Sequence, residues 1–319
     1  PERVYQKDPD REGERVRDPF RRADQFKWKS IRSVPVYGER SEISDGDSER
    51  GIQKLSYGWK DQQNNYERSD RYMNLRKLNR DEIKYIAMMT MLLNHIANIF
   101  LEPGTLIFTL LVDIGYFTAP VMCWFLVEGY HYTRSKKRYA ARLAVFALVS
   151  EIPFCLAFSE AYNGMETISF CGMNMMFTLL LCFGVLLVRE YVLEEGLKLA
   201  LYLFLFLVST FSDWAILAPA FTMLFAAGRG DERKTKKAFL IGAGVFALMN
   251  FYPGTTPGGF LYSVIYAVLS CCGILAAGFT VLRLYNGKRA ERGRTFFKWF
   301  FYLFYPVHLL ILGIIRIIF

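Results

Sequence analysis

Metal-binding patterns and histidine are what this sequence has least of. It has three histidines and six cysteines in 319 residues. No two cysteines stand as CxxC and no His or Cys group has ligand spacing, so a bound metal is not expected. Cys123, Cys155, Cys171, Cys182, Cys271 and Cys272 lie mostly in apolar runs, where a free thiol acts as a small hydrophobe. A Cys155–Cys171 bridge stays open, with no specific pattern behind it. No leading apolar segment resembles a signal peptide. Charge is also missing from long stretches after Ile83, which excludes an ordinary soluble bundle, whose helices keep one polar face.

What is present is apolar length. The chain is 53% hydrophobic, and from Ile83 onward it runs in long apolar stretches broken by short polar links. Stretches of about 18 residues or more are candidate transmembrane helices. The fold class is therefore an all-α integral membrane protein, a polytopic bundle of about nine helices. Residues 1–80 differ: they are dense in charge of both signs and form a cytoplasmic tail, disordered or loosely packed, with Trp28 and Trp59 as isolated aromatics. Residues 81–319 form the membrane domain.

The nine spans are Glu82–Leu101, Phe108–Tyr132, Arg138–Phe158, Met173–Leu193, two halves of Leu199–Ala227, Lys237–Phe251, Phe260–Leu284 and Phe297–Phe319. As one helix Leu199–Ala227 would reach roughly 43 Å against a hydrocarbon core of about 30 Å, so a turn is expected at Asp213. Lysine and arginine test this count. TRSKKRYAAR, REYVLEEGLK, GRGDERKTKK and RLYNGKRAERGRT all carry them; EPGT, SEAYNGMETISFCG, the Asp213 turn and PGTTPGG carry none. That asymmetry puts the N-terminus in the cytoplasm and the C-terminus outside. Arg316, the exception, is expected to snorkel to the interface. The net charge of +9 is thus a matter of topology and lipid contact, and nucleic acid is not an expected partner.

Polar residues inside spans are costly, which makes Asn94, His95, Glu128, Glu151, Asn174, Asp213 and His308 candidates for a polar cavity. For any one of them, an interhelical hydrogen bond is the alternative reading. His95 carries a spacing, K-x10-H from Lys84 on one helix. Eleven residues make close to three turns, so both point to nearly one face, roughly 16 Å apart along the axis. A cation at the mouth and a base in depth suit a long ligand with phosphates at one end and chemistry at the other, such as acyl-coenzyme A. Lys84 also reads as a plain topology anchor. Arg134, Arg138 and Arg142 recur every four residues, as one helix face able to grip phosphate or anionic lipid.

The segment Ile83–His95, then EGYHYTRSKKRYAARLAVFALVSEIPF, MNMMFTLLL and YPVHLLIL resembles the TraX family, membrane proteins associated with N-terminal acetylation of conjugative pilin. Gly129, Thr133, Tyr139, Arg142-Leu143, Ser150 and Pro153-Phe154 carry the likeness as a set. The family in turn resembles type-3 membrane acyltransferases, in which a basic residue precedes a His at this spacing. The resemblance implies an acetyl-CoA-dependent transferase with His95, beside Asn94, as catalytic candidates. It implies Lys84, Arg134, Arg138 and Arg142 as donor-phosphate candidates, and His308 and Asp213 as cavity residues. The acceptor is an amine or hydroxyl on a protein N-terminus, a sugar or a small molecule. The chain departs from the family pattern at Asn94, where Asp is usual, at Glu151, where Gln is usual, and near Tyr116, where Arg is usual. A transporter or channel, and an inactive family member, are the alternative readings.

Overall fold

The computed structural model describes residues 76–319, apart from 165–167, 253–258, 291–292 and 319. The expected tail, with Trp28 and Trp59, falls on 1–75 and so lies outside the described residues. Every regular element among the described residues is helical, with two isolated backbone bridges, Leu78 to Tyr285 and Met173 to Ser212.

The chain enters α1 (Arg80–Phe100) through a capping box. Asn79 Oδ1 accepts from the N–H groups of Asp81 and Glu82, and the Glu82 carboxylate accepts from the Asn79 N–H. Backbone donors that a helix start leaves bare are thereby paired. Next come α2 (Leu106–Gly115) and α3 (Thr118–Tyr132). The sequence suggests one helix from Phe108 to Tyr132; the structure breaks it at Tyr116 and Phe117. Pro120 has no N–H to give the Tyr116 carbonyl four residues earlier, so the ladder is interrupted there. α4 (Lys136–Asn163) starts at a Ser135 cap and stops at Gly164, whose φ of 63° suits glycine. α5 (Met175–Tyr191) is capped by Asn174. α6 (Glu195–Ser209) and α7 (Leu217–Gly228) are separated by a turn containing Asp213, as the length argument requires. α8 (Glu232–Met249) follows an Asp231 cap. α9 (Gly259–Ser270) and α10 (Cys272–Phe279) run into a π-helical turn at Thr280–Leu284, and α11 (Arg294–Ile318) follows.

Five helical stretches are long and apolar enough to cross a membrane: Arg80–Phe100, Leu106–Tyr132, Lys136–Ala161, Gly259–Leu284 and Thr295–Ile318. This is a multi-pass membrane architecture. The other expected spans are helical but shorter. α5, α6 and α7 have 17, 15 and 12 residues, and α8 has 18 that open on ERKTKK. At 1.5 Å per residue these reach roughly 18–27 Å, less than an ordinary hydrocarbon core.

α3 sits at the centre, packed against α1, α5, α7 and α10. This accounts for its all-round apolar sequence: Val121, Cys123, Phe125, Leu126 and Val127 are all buried. α4 lies along α11 and α1 along α2. Within a membrane, helices gain little from hydrophobic burial and associate through close backbone approach over small residues. Gly115 and Gly273 provide it. A Cβ on Gly115 would stand 2.2 Å from the Asn94 Cβ, and one on Gly273 2.3 Å from the Asp113 carbonyl oxygen. Arg316 has partners within the protein. Its side chain is 6% exposed, Nε donates to the Leu156 carbonyl at 3.0 Å, and the guanidinium pairs with Glu160 at 3.1 Å. Because α4 runs beside α11, it brings that carboxylate within reach.

Gly115→Val is expected to separate α1 from α2 and destabilise by about 3 kcal/mol or more. A fluorescence-detected melting curve in detergent checks this: a midpoint equal to wild type contradicts the close approach.

Candidate functional site: two cavities that share a wall at Met91

The first cavity, about 510 Å³, has a cationic rim. Arg80, Lys84, Arg134, Arg142, Arg289 and Lys298 line it, against the single acid Asp81. Its inner part is apolar and hydroxylic, with Met88, Met122, Phe125 and Tyr305. Lys84 Nζ lies 4.8 Å from the Phe301 ring centre and 5.8 Å from that of Phe125. These rings hold its stem while the ammonium borders the cavity. Arg80 is 7% exposed; Nη2 donates to the Phe125 carbonyl at 3.2 Å, and Nε faces the Glu128 carboxylate at 3.6 Å, an ion pair without a hydrogen bond. The Arg142 Nε has no hydrogen-bond partner. A buried guanidinium N–H left bare is costly, and beside a cavity it suits an anion that accepts it.

Of the three arginines expected as one helix face, two line this cavity. α4 begins at Lys136, so Arg134 precedes the helix; Arg138 points outward and is exposed. The stripe is therefore not a single face. Arg80 was not singled out in the sequence. Its signal was its place one turn before Lys84 on the same face.

The second cavity, about 200 Å³, is lined by Asn94, His95, Asn98, Tyr116, Asp213 and Trp214 among others. Met91, Thr118 and Met175 line both cavities, so one thin wall separates the cationic space from the His95 space. The two ends of K-x10-H line different cavities, Lys84 the first and His95 the second.

His95 is bonded to His308. The Nδ1 of His95 lies 2.9 Å from the Nε2 of His308, with the rings stacked at 5.1 Å and 10°. The Nδ1 of His308 lies 2.7 Å from the Phe304 carbonyl oxygen. A carbonyl only accepts, so His308 carries its proton on Nδ1 and presents a lone pair at Nε2. His95 must then donate from Nδ1, which leaves its own Nε2 as a lone pair. This tautomer assignment follows from the hydrogen-bond network. Phe158, edge-on to His95 at 5.2 Å, and Phe304, stacked on His308 at 4.7 Å, fix the two rings. No local pattern announces a partner 213 residues away.

The other candidates divide. Asn94 Nδ2 donates to the Val112 carbonyl at 3.1 Å and its Oδ1 accepts from Asn98, so Asn94 ties α1 to α2 while bordering the second cavity. Glu128 lines neither cavity: it accepts from the Tyr285 hydroxyl at 2.6 Å and lies 3.6 Å from the Arg80 Nε. Glu151 accepts from the Asn174 side chain at 2.6 Å and backbone at 3.2 Å, while Asn174 Oδ1 caps α5. Those two residues set the start of α5 and hence Met175. Asp213 borders the second cavity, and burial pushes its carboxyl up to about 6. The next residue, Trp214, has φ 58°, the only non-glycine positive φ among the described residues. Such a conformation costs about 1–3 kcal/mol and clusters at functional sites. Stacking on Phe246 at 5.6 Å and an edge contact with Tyr116 at 5.9 Å hold it.

Fold and site define a multi-pass helical membrane protein with a paired-imidazole centre between a cationic and a polar cavity. The chain belongs to the TraX family: the family model described as TraX protein matches residues 79–316. It is 31% identical over 243 residues to the probable fimbrial assembly protein FimC, serogroup H1, of Dichelobacter nodosus, covering 72% of this chain and 93% of that one. No solved structure matches.

Asn94→Asp is expected to destabilise the protein by about 1–2 kcal/mol, because a carboxylate replaces the donor facing the Val112 carbonyl. Chemical denaturation in detergent at pH 8 checks it; unchanged stability contradicts the α1–α2 tie.

Proposed function

We propose that this protein is an integral membrane acetyltransferase of the bacterial cytoplasmic membrane. It takes acetyl from acetyl-CoA on the cytoplasmic side and passes it to an amine or hydroxyl acceptor. In this reading all nine helical segments cross, with the N-terminus inside and the C-terminus outside, and local bilayer thinning accommodates α5 to α8. The support for orientation is the Lys/Arg asymmetry of the links.

The observation that carries the reading is the wall at Met91, Thr118 and Met175 shared by the cationic cavity and the His95 cavity. Arg80, Lys84, Arg134 and Arg142 hold the donor's phosphates, with Arg138 adding to the field at the mouth. The pantetheine arm follows the apolar interior toward the shared wall. His95 Nε2 takes a proton from the acceptor N–H or O–H as that atom attacks the thioester carbonyl carbon. The tetrahedral centre collapses, the C–S bond breaks, and the proton passes from His95 to the coenzyme A sulfur. His308 keeps Nε2 of His95 unprotonated by accepting from Nδ1, the part that carboxylates play in other triads. Asn94 orients α1 beside it. The relative's name associates that protein with fimbrial assembly, so a pilin-type N-terminus is the favoured acceptor.

Transport is the second reading, because two polar spaces meeting end to end also outline a path. An inactive family member is the third. Incubating purified protein with labelled acetyl-CoA and an acceptor peptide separates them. His95→Ala is expected to lower acetyl transfer by about 10²–10⁴-fold. Equal turnover removes His95 from the mechanism, and uptake of solute without coenzyme A affinity supports transport. Arg80→Gln is expected to raise the KM for acetyl-CoA about tenfold with little change in kcat, as loss of uniform binding requires. An unchanged KM contradicts the phosphate site.

A further inference from the structure

We propose that Asp213, on the wall of the second cavity, takes the first of the two protons that an ammonium acceptor must lose. The inference rests on the acetyl-transfer reading above. It begins with charge. The carboxylate of Asp213 borders a cavity to which no lysine or arginine contributes. Among the described residues it pairs with no cation, and the Trp214 backbone N–H is the donor that holds it. The ionisable groups facing it are His95 from α1 and Tyr116 from the break after α2. The parts of α3, α4 and α5 that line the cavity bring none. The acceptors here include the Asp213 carboxylate, the His95 Nε2 and the Asn98 Oδ1, which has no donor among the described residues. A ligand that brings donors and positive charge completes this set; a neutral hydroxyl leaves the carboxylate uncompensated.

The chemistry requires a second base for an amine. An alkylammonium has no lone pair, so it must be deprotonated before it attacks. It then loses another proton on forming the amide. His95 supplies one base and returns that proton to the thiolate. The remaining proton goes to Asp213. The ammonium and acetyl-CoA thus yield the amide, coenzyme A thiol and one proton. Asp213 lies in the link between α6 and α7, beyond the helix ends, and so releases that proton on the side where the links lack Lys and Arg. Trp214, φ 58°, follows Asp213 in the same turn and lines the same cavity. The volume, about 200 Å³, is that of roughly six waters at about 30 Å³ each, so only a small end of the acceptor fits.

The test is acetyl transfer from labelled acetyl-CoA by the full chain in detergent, from pH 6 to pH 10. The probes are triglycinamide and its glycolyl counterpart, which has a hydroxyl in place of the amine. Asp213→Asn keeps the acceptor for the Trp214 N–H and the backbone bonds of the turn. The expected result is a loss of about 100-fold at pH 6.5 with triglycinamide. The rate recovers to within about tenfold of wild type above pH 9, where an α-amine of pKa about 8 is already neutral. Asp213→Glu is expected to restore much of the rate at low pH. A uniform loss at every pH marks a structural role and overturns the inference. So does equal or preferential use of the glycolyl compound by wild type, which leaves the acetyltransferase reading standing. No transfer by wild type to either probe overturns both.

Discussion

The hydrogen bond between His95 and His308 is the contact on which the site depends. One imidazole in an apolar bundle has two tautomers and nothing to choose between them. The Phe304 carbonyl settles the choice for His308, and His308 settles it for His95. Each step is fixed by which atom can only accept. The outcome is a lone pair at the His95 Nε2, the atom that a proton-abstracting mechanism needs. The rest of the bundle serves that bond. α11 brings His308 along α4 to α1, Phe158 and Phe304 hold the rings, and the Arg316–Glu160 pair ties the far end of α11 to α4.

Around the pair the polar chemistry is divided by sign. Cations collect at the start of α1 and in and just before the first turns of α4 and α11; amides, a carboxylate and a phenol collect at the other end of α1. The two groups are separated by Met91, Thr118 and Met175. Methionine is unbranched and adaptable, so it makes a wall that yields to a thin chain better than a branched side chain would. Asn174 and Glu151 contribute indirectly, since they fix the helix start from which Met175 projects.

Much of this was legible in the sequence. Apolar length gave the helices and the turn at Asp213, because a single helix there is too long for a bilayer. The spacing from Lys84 to His95 gave the helix face, since three turns return a side chain to the same side. The break at Tyr116 was legible in principle from Pro120. The Arg134/Arg138/Arg142 stripe misled because spacing means a face only where the helix has begun, and Ser135 caps it after Arg134. The His95–His308 bond and the Arg80–Glu128 and Arg316–Glu160 pairs are contacts between distant helices. No window of sequence holds both partners, so periodicity could place each residue but not join them.

The claim at the centre is that an acyl donor lies in the cationic cavity with its sulfur toward His95. The direct measurement is a structure of the protein with desulfo-coenzyme A bound. The account predicts phosphates against Arg80, Lys84 and Arg142, and the truncated arm ending at the wall of Met91, Thr118 and Met175. A ligand bound elsewhere, or one whose arm ends away from that wall, contradicts it.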